Sequence, residues 1–226
     1  MKNVNGTVVI FAAHPDDDIL GCGGTIAKLT QEGLKVHVVF LADGESSRDE
    51  IADIDNLILQ RKQNAKNALK ILGCDSIEFI NFPDNRLDSL DLLDVVKRIE
   101  GFIDVYKPYT VITHYKHDLN IDHQITHNAV VTACRPQPGY CVKELLFFEV
   151  PSSTEWNLSN AFMPNYYVDI SSTLSLKIEA LNKYKNEMRS FPHPRSIKAI
   201  ESLSYYRGAS SGCGAAEAFI IGRKIK

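Results

Sequence analysis

The stretch Thr7-Val8-Val9-Ile10-Phe11-Ala12-Ala13 runs directly into His14-Pro15-Asp16-Asp17-Asp18 and then Gly21-Cys22-Gly23-Gly24. A continuous apolar run rich in β-branched residues and closed by Pro and Gly predicts a buried strand of a parallel sheet. One imidazole and three carboxylates then crowd the carboxyl end of that strand. Like charges at one turn repel unless a cation or a proton neutralises them. An N-cap for a helix near Ile26 explains one Asp of this turn, but not a His with three. The turn therefore predicts half of a metal site.

With 226 residues and 44% hydrophobic content the chain can bury a sizeable core, and a single domain spanning 1–226 is the simplest account. The net charge of -3 comes with no basic stripe, which disfavours nucleic acid as a partner. No apolar run approaches the ~20 residues of a membrane span, so no membrane insertion and a cytoplasmic location are expected. Five cysteines without C-x-x-C spacing argue against a disulfide framework or a thiolate zinc site. Cys22, beside the acidic turn, is the one to watch.

In chain order, strand and helix patterns alternate. Thr25 to Gln31 predicts a short helix, Lys35 to Ala42 a strand with His37 as a packing residue, and Asp43 to Arg48 a polar exit loop. A helix with Ile58, Ala65, Leu69 and Leu72 on one face carries Arg61 near its start. Ser76 to Phe82 is a third strand, with Pro83-Asp84-Asn85-Arg86 as its exit. A helix marked by Leu92, Val96, Ile99, Ile103 and Tyr106 follows, and then a fourth strand from Thr110 to His114. The exit loop of that strand, His114 to His123, is the second dense polar cluster. The alternation predicts an α/β fold: one doubly wound, mostly parallel, Rossmann-like sheet with helices on both faces.

In such a sheet the first and fourth strand exits can lie side by side, which would bring His14 and Asp17 next to His123. Two imidazoles and a carboxylate form a common catalytic zinc set, and iron, manganese or cobalt suit the same donors. Asn120 is read equally as the N-cap of a helix running to Ala133 and as a functional residue. His127 is taken as a packing or surface residue, and His114 and His117 as supports around the ligands.

Ala13-His14-Pro15-Asp16-Asp17-Asp18, with a distant Asp122-His123, resembles the LmbE/PIG-L family of metal-dependent N-deacetylases, whose members act on N-acetylated amino sugars. The likeness covers the first half to two thirds of the chain, and the two motifs are specific together. It implies His14, Asp17 and His123 as zinc ligands and Asp16 as general base. Asp122 would orient His123 or the base, and Asp84 and Arg86 would shape a sugar pocket. It also implies a small N-acetylated sugar or nucleotide-sugar as substrate, with homo-oligomerisation a common trait. Two positions depart from the family pattern. Asp18 stands where Glu is usual, a small change in a hydrogen bond around the ligands. Asn120 stands where many relatives carry His, so it could donate to an oxyanion but supply no proton.

Beyond His123, Lys143 to Val150 predicts a fifth strand and Pro151 to Asn165, with Trp156, a specificity lid. Tyr166 to Ile170 is a short strand, Leu174 to Met188 a helix begun by Ser171 or Ser172, and Ala215 to Ile221 a closing strand. Phe191-Pro192-His193-Pro194-Arg195 is a rigid turn in which His193 is either a structural residue or the candidate for an extra substrate contact or acid. Arg207 is a phosphate-binding or plain surface residue. Three rival functions share parts of this pattern. Gly21 to Ile26 lacks the third glycine of a dinucleotide-binding turn. A non-catalytic metal protein would show no turnover. A divalent-metal phosphoesterase acting on a small metabolite is the main alternative, and it would need two metals about ~3.5 to 4 Å apart.

Overall fold

The computed structural model describes residues 6–47 and 53–226; Arg48 of the second exit loop lies outside them. A seven-stranded sheet has the order β3-β2-β1-β4-β5-β7-β6. The strands are β1 (Thr7–Ala12), β2 (Lys35–Ala42), β3 (Ser76–Phe82), β4 (Thr110–His114), β5 (Glu144–Phe148), β6 (Tyr166–Asp169) and β7 (Ala216–Lys224). The first five are parallel; β7 runs antiparallel between β5 and β6. The helices are α1 (Asp17–Gln31), α2 (Ile54–Ile71), α3 (Leu92–Tyr106), α4 (Ile121–Ala133), α5 (Leu174–Leu181) and α6 (Ile197–Ser211). None among the described residues is long and apolar enough to cross a membrane.

Alternation along β1 builds two cores. Val8, Ile10 and Ala12 face the side covered by α1, α2, α5 and α6, while Val9 and Phe11 face α3 and α4. A strand buried on both faces must be apolar throughout, which is why β1 reads as an unbroken run. The topology switches at β1, which pairs with β2 on one side and β4 on the other, Val8 opposite Thr110 and Ile10 opposite Ile112. Ligands in open α/β sheets bind at such a switch, outside the carboxyl ends of the strands.

Several expectations are corrected. The helix after the acidic turn starts at Asp17, eight residues before the expected Thr25, and it is interrupted at Cys22. Its second piece is not capped by an Asp of the turn. The helix expected to reach Met188 ends at Leu181, with Thr173 rather than Ser171 or Ser172 at its N-cap. Helix α6 was not anticipated, because its apolar residues gather on no single stripe; Ser196 caps it by accepting from Ala199 N at 3.1 Å.

Close packing explains the glycines at the interruption. A Cβ on Gly21 would lie 2.3 Å from Phe148 Cδ2. Gly21→Ala should therefore cost about 1–3 kcal/mol of stability, read as a lower urea midpoint with an unchanged slope.

Candidate metal centre

The first two ligand candidates come from one turn. His14 precedes α1 and Asp17 is the first residue of that helix, and the carboxylate folds back so that Asp17 Oδ2 accepts from His14 N at 2.8 Å. The third arrives on α4, whose start follows the β4 exit. His14 Nδ1 lies 3.1 Å from Asp17 Oδ2, His123 Nε2 3.1 Å from the same oxygen, and the two nitrogens are 3.3 Å apart. Tetrahedral coordination with bonds of 2.0–2.1 Å places donor atoms about 3.3 Å from one another. The triangle already has nearly that size. Asp17 Oδ1 is buried with no hydrogen-bond partner among the described residues. Two imidazoles, a carboxylate and an orphaned carboxylate oxygen fit a divalent ion.

Each ligand is held from behind. His14 Nε2 lies 3.1 Å from Asp122 Oδ2 and 3.0 Å from Asp84 Oδ1. Asp122 is fixed by Asn85 N at 2.7 Å and Leu87 N at 3.0 Å, and it faces His14 rather than His123 or the base, the two partners the resemblance implies. The partner of His123 is Asp118, with Oδ1 3.0 Å from His123 Nδ1. Asp118 in turn accepts from the Ser153 and Thr154 hydroxyls and from Asn120 N. This carboxylate–imidazole–ligand arrangement raises ligand basicity and fixes ring orientation. Asp118 was missed as a site residue, although its place five residues before His123 in a polar loop was visible. His114 stacks on His123 with ring centroids 4.0 Å apart. Its Nε2 accepts from Ala13 N at 2.8 Å, and burial, then the His123 charge, holds its pKa well below normal. It packs as a wedge between Ala13 and His123, with one ring nitrogen taken up by the Ala13 N–H. His127 is buried and binds the His114 carbonyl.

Asp16 stands beside this centre in a cleft of ≈ 170 Å³ that His14, Asp84, Asn120, Arg61 and Arg195 also line. Its Oδ2 meets Arg61 Nη2 at 3.2 Å and Arg195 Nη1 at 3.2 Å, while its Oδ1 has no hydrogen-bond partner among the described residues. Arg61 was read as a helix residue without a role; a buried arginine on the apolar side of a helix is the signal that could have marked it. Asn120 is the N-cap of α4, one of the two readings the sequence left open, and it also lines the cleft. Its Oδ1 caps α4 by accepting from Asp122 N at 2.8 Å, which turns Nδ2 outward to Asn85 Oδ1 at 3.0 Å and into the cleft lining.

Arg86 is exposed and does not line the cleft. His193 does not line it either: its Nδ1 accepts from Arg195 N at 3.0 Å, and its ring meets Trp156 edge-on. The turn thus delivers Arg195, with Ser152 Oγ accepting from Arg195 Nε at 2.6 Å. Ser152 to Thr154 thus bond to Arg195 and Asp118, so the start of the expected lid braces the site from behind and does not line the cleft. Arg207 pairs in two bonds with Glu149. Asp18 is fully buried; burial, then the neighbouring Asp16 and Asp17, push its pKa well up against the opposing backbone N–H groups of Ile19 and Asp18. Burial also raises the Cys22 thiol, which leaves it unreactive.

A second group, His14, Asp84 and Asp122, could also hold an ion. It uses the opposite nitrogen of His14, and an imidazole bridge holds two ions farther apart than the about 3.5–4 Å of two-metal phosphoesterases. A larger cavity of ≈ 370 Å³ opens at the amino ends of β1, β4 and β5, among Val8, Thr110 and Glu144. It contains none of the metal-ligand candidates, so chemistry and not size selects the site.

The comparisons with known proteins follow the same residues. The profile of the family described as PIG-L: GlcNAc-PI de-N-acetylase matches residues 9–134, from β1 to the end of α4. An uncharacterized deacetylase of Escherichia coli (strain K12), YaiS, is 33% identical over 185 residues, covering 79% of this chain and 90% of its own. The diacetylchitobiose deacetylase of Thermococcus kodakarensis is 25% identical over 216 residues, covering 91% of this chain and 79% of its own. Among solved structures, GalB, the 4-carboxy-2-hydroxymuconate hydratase of Pseudomonas putida KT2440, superposes with a TM-score of 0.79 at 21% identity, covering 97% of this chain and 98% of that one. A hydratase on this scaffold means that the fold alone does not choose the reaction.

The electrostatics give a pH-dependent test. Burial opposes the charge on His123, but Asp17 and Asp118 outweigh it and raise the pKa to about 9; His14 is raised likewise, against burial, by Asp17, Asp122 and Asp84. A folded-state pKa raised above the unfolded value of about 6.5 gives stability that is full below that pH and lost as pH climbs through the folded value. Burial favours the neutral acids of Asp84 and Asp118, yet facing imidazoles and hydrogen bonds hold both at about 2, so their contribution fades only in acid. The chelated protein should therefore lose melting temperature between about pH 6.5 and 9. Added divalent metal, which must displace imidazole protons, should raise it more at high pH than at low. Thermal unfolding with and without chelator across this range checks both; an equal increment at all pH values would exclude these imidazoles as ligands.

Proposed function

This chain belongs to the PIG-L family of GlcNAc-PI de-N-acetylases, and we propose that it removes the acetyl group from the nitrogen of an N-acetylglucosamine-type sugar, with zinc held by His14, Asp17 and His123. The observation that carries this reading is the ligand triangle beside Asp16, whose one oxygen is pinned by two guanidiniums while the other makes no hydrogen bond among the described residues. A divalent ion at the triangle supplies charge that polarises the acetyl carbonyl and makes water easier to deprotonate.

The remaining steps are assigned to the chain's own groups. Asp16 takes a proton from the attacking water at Oδ1, with Arg61 and Arg195 fixing its carboxylate plane. The Nδ2 of Asn120, aimed by the helix cap, donates to the developing oxyanion. His114 is locked as an acceptor and His193 is outside the cleft lining, so Asp16 returns the proton to the leaving amine. Asp122 positions His14. Asp84 offers its carboxylate to sugar hydroxyls, with Arg86 at the rim. His193 acts through Arg195. Both cleft arginines are already paired with carboxylates, Asp16 and Glu187. That pairing favours an uncharged acetamido sugar at the metal over a phosphate group. A cytoplasmic setting fits five free thiols.

Amine release from a panel of N-acetylated sugars and nucleotide-sugars is the direct assay, run with metal-loaded protein, chelated protein and Asp16→Asn. Release should be lost in the last two while Asp16→Asn still binds metal; wild-type turnover by that variant would overturn the assignment of Asp16. Asn120→Ala should lower kcat by about 10²-fold with little change in KM, measured on the best substrate of the panel.

A further inference from the structure

Helix α1 breaks at Cys22, where φ of -146° and ψ of 23° leave the helical region. A break strands carbonyls at the end of the first piece and N–H groups at the start of the second. One buried ion pair meets both. Lys177 of α5 donates from Nζ to the Leu20 carbonyl at 2.9 Å. Glu217 of β7 accepts from Gly24 N at 2.9 Å, Thr25 N at 2.7 Å and Thr25 Oγ1 at 2.6 Å. Lys177 Nζ and Glu217 Oε1 are 2.6 Å apart, with side chains 4% and 3% exposed. The signs suit the helix ends, a cation at carbonyls and an anion at N–H groups.

The first piece is little more than one turn, too short to hold a helical conformation by itself. Yet it carries Asp17. The Asp16 carbonyl accepts from Leu20 N at 2.9 Å, and the Leu20 carbonyl accepts from Lys177, so a chain of bonds runs from the acidic turn to the ion pair. Thr173 Oγ1 adds a bond to the Gly24 carbonyl at 2.8 Å. We propose that Lys177 and Glu217 are positioning residues for the metal: the pair spans the break in α1 and sets the turn so that Asp17 Oδ2 faces His14 and His123. The inference rests on the metal set of the deacetylase reading. Replacing both members of a buried ion pair with neutral residues of similar shape often leaves stability unchanged, so orientation and stability can be separated.

The test is a Co²⁺ titration of the full chain, wild type beside Lys177→Met/Glu217→Gln. It is followed by equilibrium dialysis and the visible band of bound cobalt, with thermal unfolding in chelator as the control. The expected result is a cooperatively folded double variant whose Co²⁺ affinity is about 10- to 100-fold weaker and whose cobalt band is altered. Unchanged affinity and band in the folded double variant would overturn the proposal and leave the pair a packing feature. If that variant does not fold, Thr25→Val, which keeps both charges and removes one bond to Glu217, carries the comparison: a several-fold loss of affinity supports the proposal and none overturns it. Failure of the wild type to bind Co²⁺ would overturn the metal reading itself, and this inference with it.

Discussion

Parallel pairing of β1 with β4 is the constraint on which the rest depends. It lines up two strand exits that are about a hundred residues apart in the chain, and side chains extend the contact past the ladder. Thr113 Oγ1 donates to the Phe11 carbonyl, and Ala13 N to His114 Nε2. Both exits are acidic, so pairing them drives Asp16, Asp17, Asp18, Asp118 and Asp122 into one buried volume. Buried charges are tolerated only when paired. His14, His123, Arg61 and Arg195 supply the partners, each from a different part of the chain.

The site turns two adjacent carboxylates in different directions. Asp17 is turned inward, where two imidazoles press against one of its oxygens and lower its pKa against the effect of burial. Asp16 is turned toward the cleft and held by guanidiniums. Arginine suits that task because its planar fork fixes a carboxylate without competing for a proton. The same division recurs at α4, where Asn120 spends its carbonyl on the helix cap and keeps its amide for the cleft.

Likeness to a hydratase of equal fold shows where function resides. The sheet supplies a place, and the residues at two strand exits supply the chemistry. What covers them comes from the last third of the chain. Ser153 and Thr154 hold Asp118, Arg195 reaches Asp16, and Lys177 with Glu217 bridges α1.

The sequence by itself determined the alternating architecture and the two polar strand exits that carry the metal-ligand candidates, because these follow from local signals. An unbroken apolar run marks a strand buried on both faces, and His14 and Asp17 sit three apart on one turn. It offered the N-cap of α4 for the same reason, as one of two readings of Asn120. Only the tertiary structure decided which carboxylate serves which imidazole, that Arg61 and Arg195 meet at Asp16, that His193 stays outside the cleft lining, and that α1 is broken and bridged. Apart from Asp118 with His123, these contacts join residues far apart in the chain, 108 positions for His14 with Asp122, 179 for Asp16 with Arg195 and 193 for Gly24 with Glu217. No periodicity or cap records such a pairing, since its geometry is set by how β7, α2 and α5 pack against the sheet.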